Sequence, residues 1–141
     1  GKDVPHIPGG GAAGGMGAGM YALLNSRLER GIDMVLNAIR FDDIITGSDL
    51  VVTGEGRIDR QTVMGKAPSG ILRRASAQGI PVIAIGGRVE WCDELRRSGF
   101  ARIIEISSPD MPKEKAMQRS IAYENMRRAG QQLIVERTFN S

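Results

Sequence analysis

Apolar residues recur at helical spacing in the first third of the chain. Met16, Met20, Leu23, Leu24 and Leu28 fall three or four positions apart between Gly14 and Arg30, which predicts an amphipathic helix closed by Gly31. A second run follows with Ile32, Val35, Leu36 and Ile39 on one side, and Phe41–Ile45 adds one more turn. The pattern then shortens to continuous β-branched stretches. Asp49–Thr53 reads as a buried strand ended by Gly54, Ile80–Ile85 as a second ended by Gly86-Gly87, and Ala101–Ile106 as a third. Between them, Lys66–Gln78 reads as a helix with Pro68 in its first turn and Gly79 past its end. Trp91–Arg97 reads as a shorter helix closed by Gly99. Lys113 to about Arg137 predicts a long helix with the stripe Met117, Ile121, Ala122, Met126, Ala129 and Leu133.

Strands alternating with helices at this interval imply β-α-β units around a parallel sheet, joined by right-handed crossovers. The expected class is α/β. Three strands make a thin sheet, so further strands, or an assembly such as a homo-oligomer, are expected to complete it.

Composition narrows the picture only a little. The chain has 141 residues, 41% of them apolar and 25% charged, the ordinary mixture for a globular domain with a sizeable core. Its net charge of +3 is too small to mark a nucleic-acid binder. The pairs Arg73-Arg74, Arg96-Arg97 and Arg127-Arg128 are scattered, as on solvated helix faces. No run approaches the roughly 20 apolar residues of a membrane span. The single cysteine, Cys92, excludes an intrachain disulfide and fits a reducing compartment, the cytoplasm. The opening GKDVPHIPGGG lacks both an initiator Met and an apolar leader core, which leads us to expect a piece of a longer protein.

Chemistry concentrates in TGEGRIDRQTVMGK, from Thr53 to Lys66. It carries Glu55, Asp59, Arg57, Arg60 and Lys66 directly after a predicted strand. In open α/β sheets, ligands bind beyond the carboxyl ends of the strands. The helix expected to start near Lys66 adds its dipole to the lysine charge, which together suit an anion. Carboxylates such as Glu55 and Asp59 suit the other half of phosphate chemistry, as hard ligands for Mg²⁺ and acceptors for an attacking hydroxyl. The bland alternative is a solvated turn whose charges pair with one another. The segment is not a Walker A motif, because Arg60 and Ala67 stand where that motif needs Gly and Ser or Thr.

Upstream, Gly9, Gly11 and Gly14 formally satisfy G-x-G-x-x-G, but KDVPHIP supplies no preceding strand. Two readings of the run stay open. Backbone N–H groups at Gly11, Gly14 and Gly15 could cradle an anion, or the glycines could let helices pack closely. His6 has no partner in the sequence, and Cys92 lacks a CxxC mate, so both read as structural. Gly86-Gly87-Arg88 and Ser107-Ser108 follow strands and could line the same crevice, or simply turn the chain.

The stretch SDLVVTGEGRIDRQTVMGKAPSGI resembles the signature of the bacterial type of glycerate kinase, and PGGGAAGGMGAG resembles that family's Pro-Gly-rich segment. Their order and spacing agree, and IPVIAIGG and the long last helix match in place. The resemblance covers essentially the whole chain but only the last third to two-fifths of the family's length. It implies ATP-dependent phosphorylation of D-glycerate, to the 2-phospho isomer in preference, by a two-lobed protein with its site in the cleft. On that picture residues 48–141 are the C-terminal part of a Rossmann-like three-layer lobe, and residues 1–47 are the Gly-rich helical tail of an inserted lobe. Glu55 and Asp59 then become candidates for Mg²⁺ or glycerate contact, with Lys66 beside them as catalytic. Arg57 becomes a phosphate or carboxylate ligand, and Gln61 and Thr62 secondary hydrogen-bonding partners. The family's N-terminal Lys- and Ser-bearing motifs are absent, so the fragment is expected to be inactive alone. The run also reads GGGAAGG where the family more often has GAGAAGG, a change that backbone binding tolerates. Rival expectations are a non-catalytic phosphate- or nucleotide-binding regulatory module and an assembly domain.

Overall fold

The computed structural model describes residues 10–24 and 26–139. The chain divides into two compact units, Gly1–Phe41 and Asp42–Ser141. The first holds α1 (Ala12–Leu24) and α2 (Gly31–Ala38). The predicted first helix stops at Leu24, six residues short of Arg30, and Gly31 opens α2 instead of closing α1. Gly14 and Gly15 sit at φ +68° and +90°, left-handed values that only glycine adopts cheaply, so the start of α1 is irregular. The stripe predicted to be buried is largely exposed: Leu23 is 85% and Met16 63% accessible, and Leu36 is the buried anchor of α2.

The second unit begins within α3 (Phe41–Ile45), which docks on α5 (Ala67–Ala77). The amide of Gln78 donates to the Asp42 carbonyl at 2.9 Å, and Arg74 pairs with the Asp42 carboxylate at 2.8 Å. The order continues β1 (Val51–Ile58), α4 (Arg60–Val63), α5, β2 (Val82–Val89), α6 (Asp93–Arg96), β3 (Arg102–Glu105), α7 (Lys113–Ala116) and α8 (Arg119–Phe139). The three strands form one parallel sheet in the order β1-β2-β3, the α/β class that the alternation predicts. Helices cover both faces. Ile83, Ile85 and Ile104 pack with Ala129 and Leu133 of α8, while Ala84 and Ile58 pack with Leu95 of α6 and with Ile103.

Two expectations about strand length are corrected. β1 does not end at Thr53, nor β2 at Ile85: they run side by side to the pairs Arg57↔Arg88 and Ile58↔Val89. The glycines permit close approach and do not stop the strands. A Cβ on Gly54 would lie 2.7 Å from the Ile85 carbonyl oxygen, and one on Gly87 would lie 2.6 Å from that of Gly56. Ile85 and Val89, four apart and so expected on one face, belong to opposite apolar clusters, so alternation slips across Gly86-Gly87. The last predicted helix is also two helices. At Gln118 the backbone bond tightens to the Lys115 carbonyl, three residues back, before α8 begins.

Candidate functional site

The long β1 carries Glu55 and Arg57 out along the carboxyl end of the sheet, inside the strand where a loop was expected. Asp59 follows as the N-cap of α4. Its carboxylate accepts the Gln61 N–H at 2.8 Å, and its own N–H donates to Thr62 Oγ1 at 3.0 Å, a reciprocal capping box. Thr62 is fully buried and its hydroxyl donates to Glu55 Oε1. Thr62, expected as a secondary hydrogen-bonding partner, therefore lies beneath the surface with its hydroxyl turned to Glu55. Gln61 is exposed, with its backbone committed to the cap.

Lys66 is the N-cap of α5, as the helix-start expectation requires, with no side-chain cap bond and Pro68 in the first turn. Its ammonium stands 4.0 Å from Asp59 Oδ1, while Arg57 Nε stands 3.8 Å from Asp59 Oδ2. At these separations the charges face each other without a tight hydrogen bond. Arg57 pairs more closely with Glu90 at the end of β2. That hydrogen bond first, then the Glu90 charge, and by a smaller amount Asp59, holds the guanidinium above its ordinary pKa. Arg60 pairs with Glu94 of α6 at 2.9 Å.

A cavity of about 1190 Å³ opens over the carboxyl ends of the three strands. Glu55 and Arg57 line it from β1, Arg88 and Glu90 from β2 and its exit, and Glu105 and Ser107 from β3 and its exit. Lys113, Met117, Ala122 and Met126 close it from α7 and α8. The volume lies just above the usual range for small-molecule sites, and a few polar groups over an apolar wall are the usual make-up of such sites. Arg88 is held in place by the Met111 carbonyl at 2.6 Å and by Glu105 at 3.5 Å. Among the described residues Glu55 and Lys113 pair with no opposite charge, which leaves one anion and one cation free at the cavity wall. Asp59, Gln61, Thr62 and Lys66 lie outside the lining.

Glu90, Glu105 and Lys113 were not singled out from the sequence. The strand-end rule that drew attention to Arg88 and Ser107 would have found Glu90 had β2 been read to Val89, whereas Glu105 is the last residue of β3 and fell inside the predicted third strand. Lys113 carries no local signal, because only the fold of α7 over the sheet brings it in. Gly11, Gly14 and Gly15 belong to the first unit. A Cβ on any of them would meet nothing within 4 Å, so the described residues give the close-packing reading no support. Gly9 and His6 lie outside the described residues.

Mg²⁺ takes oxygen ligands and commonly uses only one or two carboxylates, with water and substrate phosphates completing its shell. Glu55 fits that need, having one oxygen fixed by a hydroxyl and no cation against it. Asp59 fits less well, since a backbone cap, Arg57 and Lys66 already surround it. Among the described residues no three His, Cys, Asp or Glu side chains converge as a metal-ligand set.

Residues 1–137 match the sequence pattern of the glycerate kinase family. The chain belongs to the glycerate kinase family. It is 47% identical over 125 residues to a glycerate kinase of Bacillus cereus, covering 88% of this chain and 32% of that protein. It is 47% identical over 85 residues to a glycerate 2-kinase of Escherichia coli K12, covering 60% of this chain and 22% of that protein. A crystal structure of a proposed glycerate kinase 2 from Salmonella typhimurium LT2 superposes with a TM-score of 0.56 at 34% identity, over 93% of this chain and 36% of that one. The matched part of the chain thus spans between 22% and 32% of the length of these curated glycerate kinases. No helix among its described residues is long and apolar enough to cross a membrane.

Proposed function

We propose that this chain is the C-terminal portion of an enzyme that transfers the γ-phosphoryl group of ATP to D-glycerate, giving 2-phosphoglycerate, in the cytoplasm. The observation that carries the reading is Glu55: a carboxylate fixed by a buried hydroxyl, unpaired with any cation among the described residues, on the wall of a strand-end cavity. Phosphoryl transfer asks the protein mainly for positioning and charge. Arg57 and Arg88, each braced by a glutamate, orient the phosphate chain or the substrate carboxylate. Lys113 adds a free cation. Glu55 would hold Mg²⁺, with Asp59 as the second carboxylate, and the bound ion would neutralise charge on the phosphates. Lys66, at the start of α5, adds positive potential beside Asp59. The glycine run at Gly11, Gly14 and Gly15 would offer backbone N–H groups to an anion, as part of an inserted lobe made by residues 1–47. Residues 48–141 would complete a Rossmann-like lobe.

The test is a coupled assay of the full-length enzyme with Mg-ATP and D-glycerate, with ³¹P NMR of the product. A 2-phosphoglycerate signal is expected. Formation of the 3-phospho isomer would overturn the regiochemistry, and ATP binding without turnover would overturn the kinase reading.

A further inference from the structure

Thr62 is the least conspicuous polar residue of the segment and the most constrained. It lies in the four-residue helix α4, fully buried, with a hydroxyl that has one proton to give. That oxygen already accepts the Asp59 N–H at 3.0 Å. Its proton is therefore left for Glu55 Oε1, the contact seen. Each end of the bridge is thus specified. The capping box sets the place of the hydroxyl, and the hydroxyl sets the place of the carboxylate. Glu55 has three side-chain torsions and only a partly buried position, so without this bond nothing among the described contacts would choose its rotamer.

We infer that Thr62 is a positioning residue that holds the Glu55 carboxylate toward the strand-end cavity, acting through Glu55 and never touching substrate. The inference deepens the proposed function and rests on it for its kinetic consequence. Its structural core, that the Thr62 hydroxyl fixes Glu55, stands independently. Groups that orient a functional side chain from behind typically cost roughly 10–100-fold in activity or metal affinity when removed.

Three variants of the full-length enzyme test it. Thr62→Val keeps the volume and removes the hydroxyl; Thr62→Ser keeps the hydroxyl; Glu55→Ala removes the residue through which Thr62 acts. Thr62→Val is expected to lower kcat for glycerate phosphorylation by roughly 10–100-fold, and Thr62→Ser to restore it to within about threefold. In a Glu55→Ala background, Thr62→Val is expected to add almost nothing, because coupled residues are non-additive. A purely structural threonine would instead give the same proportional loss in both backgrounds, which overturns the inference. Thr62→Val also strips the Asp59 N–H of its acceptor, so melting temperatures are read alongside, with Thr62→Ser as the variant that spares the cap. Crystal structures supply an arm independent of substrate: Glu55 should leave its position in Thr62→Val and keep it in Thr62→Ser. An unmoved Glu55 in the valine variant overturns the inference even if the kinase reading holds. An enzyme silent on glycerate sinks the kinase reading, while the crystallographic comparison still decides about Thr62.

Discussion

Asp59 performs two tasks that a single substitution can separate. It caps α4 through its side-chain oxygen, and it presents a charge to Arg57 and Lys66. Asparagine caps a helix about as well as aspartate, whereas alanine does not, at a cost of about 0.5–2 kcal/mol. In the full-length enzyme Asp59→Asn should leave the melting temperature nearly unchanged and lower kcat/KM by roughly 10²–10³-fold, the scale of losing one preorganised charge contact. Asp59→Ala should lose stability as well. If Asp59→Asn keeps activity within a factor of a few, its charge has no part in turnover and the residue is a cap alone. The charged residues themselves were legible in the sequence, because mixed charge crowds directly after a predicted strand, although several of them turn out to pair or cap: Arg57 with Glu90, Arg60 with Glu94, and Asp59 at the start of α4. The division of labour was not. D-R-Q-T is a capping-box spacing, with Asp at N-cap and a hydroxyl at N3, but a helix of four residues has no periodicity to announce it. The sequence therefore suggests a hydrogen-bonding role for Thr62 without showing that the fold buries it behind Glu55.

At the scale of elements, the glycines of β1 and β2 decide where the site sits. Reading them as terminators was reasonable, since Gly weakens a strand. What the sequence could not reveal is that two glycine-bearing strands lie against each other, each relieving the other's backbone. Gly54→Ala and Gly87→Ala should therefore destabilise by about 1–3 kcal/mol, as overpacked positions do, because each new Cβ would press on a carbonyl oxygen 2.7 or 2.6 Å away. Gly56→Ala, with nothing within 4 Å of its added Cβ, should melt close to the unmodified protein. Equal effects at all three would refute the close-approach argument. The far end of the unit gives the opposite expectation. On α8, Glu124 hydrogen-bonds Arg127 and lies near Arg128, which holds its carboxyl below the ordinary value, chiefly through the Arg127 bond. A lowered folded-state pKa means stability that is present above the unfolded value and lost as pH falls through the folded one. A carboxyl ¹³C titration should show the Glu124 pKa rising toward its ordinary value in Arg127→Gln, since the largest cause of its lowering is removed. Activity should be unaffected in that variant and in Arg128→Gln, because neither arginine lines the cavity. A marked loss of turnover would place the Arg127–Arg128 face of α8, and not only its Ala122 and Met126 face, in the site.

At the scale of the whole molecule, 141 residues can hold only part of the machinery of phosphoryl transfer. The α/β class and the parallel sheet were readable from the spacing of strands and helices, but burial was not: β2 is buried as expected, whereas β1 is an edge strand with Val52 half exposed and only Thr53 and Ile58 buried. The helices ahead of them were harder, since their apolar stripes find no cover: Leu23, Leu24 and Met16 remain exposed among the described residues. An uncovered stripe of this kind does not signal its own boundaries, and so the first helix was drawn too long. The same exposure bears on function. About two thirds of the length of a matching glycerate kinase has no counterpart in this chain. Among the described residues the cavity offers Glu55 and Lys113 unpaired and Arg57 and Arg88 already braced by glutamates, too few contacts for both a nucleoside triphosphate and an acceptor acid. The 141-residue chain expressed alone should therefore show no glycerate phosphorylation above the assay blank. Its exposed methionines and leucines should also drive concentration-dependent association, measurable by sedimentation velocity. Robust turnover by the isolated chain would mean that its own cavity is a complete active site, and that the search for acceptor-binding residues belongs within Glu55, Arg57, Arg88 and Lys113.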